Sequence, residues 1–144
     1  MAFLYYLLHL PVLPAWALLI FAPQAALTRQ YVHSGVIPLI LGAAYAVLLF
    51  CGAVLGFSAP GAGMGSLAGV MALFSHPVGT LTGWAHFLVF DLFVGAWIAR
   101  DAQALGLRHA GTVPVLLLAL VFGPLGLFAH VLRRLWTGKG WQFG

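Results

Sequence analysis

The sequence predicts an all-α fold, an integral membrane bundle of four transmembrane helices with a short interfacial or re-entrant helix between the second and third. Three observations lead there. Of 144 residues, 63% are hydrophobic and only 6% charged, whereas a soluble domain carries roughly a quarter charged residues. Mean hydropathy is +1.07, so the chain cannot cover a water-facing surface. Its apolar runs also recur at a length close to the roughly 20 helical residues that cross a bilayer core. Backbone groups in lipid must find partners within the protein, which selects helices. The length allows one domain, residues 1–144.

The first span covers about 4–22, with Pro11 and Pro14 inside it and Pro23 closing it. These prolines imply a kink or a helix that restarts. No Lys or Arg precedes the span, so it lacks the charged start of a signal peptide. The second span covers about 34–57, with Pro38 in its first turn, where a missing N–H does least harm. Gly42, Ala46, Ala53 and the Gly52/Gly56 pair would let a neighbouring helix approach closely. Pro60-Gly61-Ala62-Gly63 then marks a turn. Leu67, Val70, Met71 and Phe74 follow at helical spacing, which predicts the short helix. The third span covers about 81–98 and the fourth about 113–132. Within the fourth, Gly123-Pro124-Leu125-Gly126 predicts a kink with open space beside it, at the depth of Asp91.

Six Lys or Arg against two acids give a net charge of +4. The bases sit at the ends of apolar runs, a membrane-flank pattern and not the clustered basic face of a nucleic-acid binder. Neither Asn nor Glu occurs, which removes glycosylation acceptors, EF-hand loops and Glu-dependent zinc protease motifs. Cys51 is alone, so no intramolecular disulfide forms. Four crossings would place Arg133, Arg134 and Lys139 on one face and Arg29, Arg100 and Arg108 on the other. The positive-inside rule then selects no orientation. No phosphate loop, nucleophile elbow or dinucleotide fingerprint is present, and no cofactor is expected. The expected partners are the lipid bilayer and further copies of the chain.

Asp91 falls in the middle of the third span, and an ionisable group there is a functional candidate because its burial is costly. His86 precedes it by five residues, a rotation of about 140°, so the two do not share a helix face. If the fourth span crosses antiparallel to the third, His130 lies near the depth of Gly83 to His86. The first span, parallel to the third, brings His9 near the depth of Phe87, and His76 enters from the loop on the same side. Such a gathering could hold metal or haem, but no HxxxH spacing supports it and no metal ligand is assigned. At the opposite end Asp101, Arg100, Arg108, His109, Arg29 and His33 form either a solvated rim or a site for a headgroup or polar end-group.

Several of these stretches together resemble the abscisic-acid-deficient-four-like family. They are Leu13-Pro14-Ala15-Trp16, Ser66 to Ser75, Gly83-Trp84-Ala85-His86, Asp91-Leu92-Phe93-Val94-Gly95-Ala96-Trp97-Ile98, Arg100-Asp101 and Gly123-Pro124-Leu125-Gly126. Ala96 stands where the family commonly has a basic residue. The resemblance implies a membrane protein, here of a bacterial inner membrane, tied to carotenoid or related isoprenoid metabolism. Plant members are plastid proteins needed to make neoxanthin from violaxanthin, which converts a 5,6-epoxide into an allenic alcohol. That isomerisation needs an acid, a base and an apolar slot. By motif position the resemblance implies Asp91 as acid and His86 as base. Substrate contacts would come from Trp84, Phe87 and Gly95, with Asp101, Gly123, Pro124 and His130 further along. The competing expectation is a non-catalytic protein that binds lipid or pigment, or a small assembly subunit. A transporter would require several copies to form a path.

Overall fold

A computed structural model describes residues 1–142, in which helix is the regular secondary structure and no strand occurs among the described residues. Seven helices follow in order: α1 (Ala2–His9), α2 (Val12–Phe21), α3 (Ala26–Tyr31), α4 (Val36–Ala53), α5 (Leu67–Ser75), α6 (Pro77–Ala104) and α7 (His109–Trp136). Four stretches are long and apolar enough to cross a membrane: Ala2–Phe21, Ala26–Ala53, Pro77–Ala104 and His109–Trp136. All four expected apolar stretches are thus helical, the third and fourth being longer at each end than the apolar pattern alone marks.

Local sequence explains where the helices start and stop. Pro11 separates α1 from α2, because a proline cannot supply the next backbone N–H. Ser66 caps α5 by accepting a hydrogen bond from the Gly69 N–H at 3.1 Å. Pro77 opens α6, where its fixed φ is already helical. Gly106, at φ +69°, closes α6 with the Leu107 N–H donating to the Ala102 carbonyl at 2.8 Å. Gly138, at φ +68°, does the same for α7, with the Lys139 N–H donating to the Arg134 carbonyl at 2.9 Å. Both are left-handed glycine caps that satisfy the last helical carbonyls.

The contacts divide the chain into two compact units, Met1–Pro11 with Ile37–Val89, and Val12–Val36 with Phe90–Gly144. In the first, α5 folds against the opening turns of α6. A Cβ on Gly79 would overlap the Leu73 carbonyl, and one on Gly83 would overlap the Phe74 ring. Here α1 meets α6 through His9, as a first span parallel to the third requires. The Trp84 indole N–H donates to His9 Nε2 at 3.2 Å, while His9 Nδ1 lies 2.7 Å from the Tyr5 carbonyl. Together these bonds use both ring nitrogens of His9 and tie α1 to α6.

In the second unit, Ala15, Trp16 and Leu19 of α2 are buried, as are Ile98 of α6 and Leu116 and Ala119 of α7. The path of α7 departs from the expected crossing. Its backbone leaves helical geometry at Phe122 (φ −135°, ψ 50°). After that the chain returns beside itself: a Cβ on Gly126 would overlap the backbone of Ala119. Further back, Arg133 Nη1 donates to Thr112 Oγ1 at 2.8 Å, and Arg133 Nη2 donates to the Arg108 carbonyl at 3.0 Å. Pairs 119/126 and 112/133 share one centre at the Phe122–Gly123 step, which is the register of a helical hairpin. The cause is local. Pro124 has no N–H, its ring collides with the carbonyl four residues earlier, and the glycines on either side permit the close return.

This corrects two expectations. His130 lies 2.7 Å from Asp101 near the end of α6, and Arg133 and Arg134 are not at the far end from Arg108. The reversal brings all of them back to the end of α7 where it began. Replacing Gly126 by Ala is expected to lower stability by about 1–3 kcal/mol, as overpacking does, whereas Gly42→Ala meets open space and should not. Thermal unfolding in mild detergent compares the two, and equal midpoints would contradict the hairpin packing.

Candidate functional site

The second unit holds every Lys, Arg, Asp and Glu of the chain. Its polar centre is built on the last turns of α6 and α7. Asp101 Oδ2 lies 2.7 Å from His130 Nε2, and Asp101 Oδ1 accepts from Arg134 Nη1. His130 is fully buried, Arg134 is 3% exposed, and the Asp101 side chain is 9% exposed. The residues that follow the α7 cap close the network. Arg134 Nε donates to the Gly140 carbonyl at 3.2 Å and Nη2 to the Gln142 carbonyl at 2.5 Å. The guanidinium therefore uses all three nitrogens, the fork geometry that suits arginine to a buried ion pair. The Trp97 indole lies edge-on to the His130 ring at 5.3 Å. With Nε2 directed at the carboxylate, His130 Nδ1 is buried and has no hydrogen-bond partner.

The second feature is the break in α7. Asp91 is half-buried on α6, and a Cβ on Gly123 would overlap its carboxyl. Gly123 is buried, whereas Pro124 faces outward. The glycine therefore does not open a void beside Asp91; the carboxyl itself occupies the space that the missing Cβ leaves. One turn further along α6, the Trp16 ring fills the space before Gly95 in the same way. Ala96 is buried.

The other candidates belong to the first unit. His86 is exposed, with the Tyr45 ring at 6.0 Å and the Phe87 ring at 6.1 Å. Phe87 and Trp84 are also exposed, the latter held by His9. Among the described residues no three His, Cys, Asp or Glu side chains are arranged to hold a metal ion. Asp101 and His130 are thus brought together, as are Asp91 and Gly123. Sequence reasoning missed Arg134 and Trp97. Arg134 reads as a flanking charge until the reversal at Gly123-Pro124 is recognised, and that tetrapeptide was the available signal.

Helices with four apolar stretches of membrane length, a break within α7 and an acid against that break define a class of polytopic helical proteins. Residues 3–130 match the ABA DEFICIENT 4-like family, and the chain belongs to it. It is 30% identical over 129 residues to "Protein ABA DEFICIENT 4, chloroplastic" of Arabidopsis thaliana, covering 85% of this chain and 56% of that protein. The chain thus spans little more than half the length of the plant relative. No solved structure matches it.

Because Arg134 and Asp101 are buried as a pair, Arg134→Met should leave an uncompensated charge and cost about 3–5 kcal/mol. Adding Asp101→Leu to that variant should recover part of the loss. Denaturant titration of the wild type, both single variants and the double variant reads this coupling, and strict additivity would contradict it.

Proposed function

We propose that the chain is an integral protein of a bacterial inner membrane that acts on a carotenoid or related isoprenoid, with Asp91 as the group that donates a proton to it. The observation that supports this reading is the position of Asp91, half-buried midway along an apolar 28-residue helix and against the glycine break of α7. A carboxyl at that depth meets an apolar substrate in a low-dielectric setting, where proton transfer is not levelled by bulk water. The family relation to a plant protein named for abscisic acid deficiency favours the isoprenoid class. The resemblance further implies the epoxide-to-allene isomerisation.

In that reaction the proton adds to the epoxide oxygen, the C–O bond breaks, and a second proton leaves the adjacent polyene carbon. Mass is unchanged and no redox partner is consumed. The base is assigned to His86 by its motif position. Trp84 and Phe87, exposed on α6, are apolar faces suited to a polyene.

The test is incubation of the purified protein with a 5,6-epoxy carotenoid, followed by chromatography and mass analysis. A product of equal mass is expected, and Asp91→Asn should reduce its formation by roughly 100-fold or more with the unfolding midpoint retained. Equal turnover in the variant would remove Asp91 from the chemistry. Tight retention of unconverted pigment by both proteins would replace the enzyme with a binder.

A further inference from the structure

The return of α7 has a consequence for the membrane that does not depend on the proposed substrate. From His109 to the break at Phe122 the helix rises about 20 Å, less than the roughly 30 Å hydrocarbon core. Its tip therefore ends inside the bilayer. Non-helical backbone at that depth is tolerated only where protein surrounds it. Gly123 is buried, with the Asp91 carboxyl directly against it. The second half then runs back over the same distance, bringing Arg133 to the Arg108 carbonyl.

The same end collects the remaining cations. Arg134 pairs with Asp101, next in sequence to Arg100. Lys139 bonds through its backbone to the Arg134 carbonyl. Arg29 donates to the Gln24 carbonyl at 2.7 Å, and Gln24 shares a cavity of about 230 Å³ with Gln103, His109 and Thr112. His109 Nε2 in turn lies 2.8 Å from the Ile20 carbonyl. All six Lys and Arg thus belong to one end of the second unit, where four crossings would have split them three and three. Arg134 is buried against Asp101, and the surface that the other five bases form is complementary to anionic phospholipid headgroups; the bias of Lys and Arg towards the cytoplasm then selects an orientation.

We propose that α7 is a re-entrant hairpin that enters and leaves the membrane by one face, and that this face is cytoplasmic, gathers all six Lys and Arg of the chain at that end and turns all but the buried Arg134 towards the anionic leaflet. Single cysteines at Ala104 and Gln142, both exposed, report the two ends of α7 in a Cys51→Ala background. Each variant, Ala104→Cys or Gln142→Cys, is expressed in a bacterial inner membrane and treated with a membrane-impermeant maleimide, first in intact spheroplasts and then after permeabilisation. Both sites are expected to stay unlabelled in intact spheroplasts and to react once the membrane is opened. Labelling of one site but not the other in intact spheroplasts means that α7 crosses, and overturns the hairpin. Labelling of both in intact spheroplasts overturns the cytoplasmic orientation.

Discussion

The second unit depends on a place where helical backbone cannot continue. Pro124 denies α7 a hydrogen bond and presses on the preceding turn, but proline alone does not reverse a chain. Pro114 lies in the same helix, and α7 passes through it without leaving helical geometry. What differs at the break is the glycine on each side. Gly123 admits the Asp91 carboxyl and Gly126 admits the Ala119 backbone, so both the turn and its docking against α6 use side-chain volume that is absent. A Cβ at Gly126 would push the two halves of α7 apart, and one at Gly123 would displace the Asp91 carboxyl of α6.

That reversal decides the electrostatics. A buried carboxylate is costly unless its charge is met and its lone pairs are used. Asp101 can stay buried because the second half of α7 returns His130 to one oxygen and Arg134 to the other. The guanidinium is relieved in the same way, since the Gly140 and Gln142 carbonyls accept from the nitrogens that the carboxylate leaves over. The left-handed turn at Gly138 redirects the chain so that those carbonyls reach back. One glycine-proline break inside the span and one glycine cap at its end together satisfy a charged cluster that neither helix could bury alone.

How much of this could be read in advance follows from the range of each signal. Spans were legible because hydropathy is a local sum, and α5 because its apolar residues keep helical spacing. The neighbourhood of His9 and Trp84 was legible to within a turn, since parallel helices of known length fix depth. The pairing of Asp101 with Arg134 was not. It joins residues 33 apart, and its visibility rests on whether α7 bends or reverses. Gly123-Pro124-Leu125-Gly126 was read as a kink that leaves space. Proline and glycine identify a weak point, but the direction the chain takes beyond it depends on what packs into the missing Cβ positions.

The stretches that carry the family resemblance therefore contain two kinds of residue. Gly95 and Gly123 lie in these stretches with a ring and a carboxyl occupying the faces where a Cβ would stand, which is a packing requirement of this chain. Asp91 stands apart from the other acid of the chain. Asp101 is met by the Arg134 guanidinium on one oxygen and the His130 ring on the other, both from α7, which suits a structural anchor. The carboxyl of Asp91, midway along α6, lies against Gly123 at the break of α7 and fills the volume that the missing Cβ leaves.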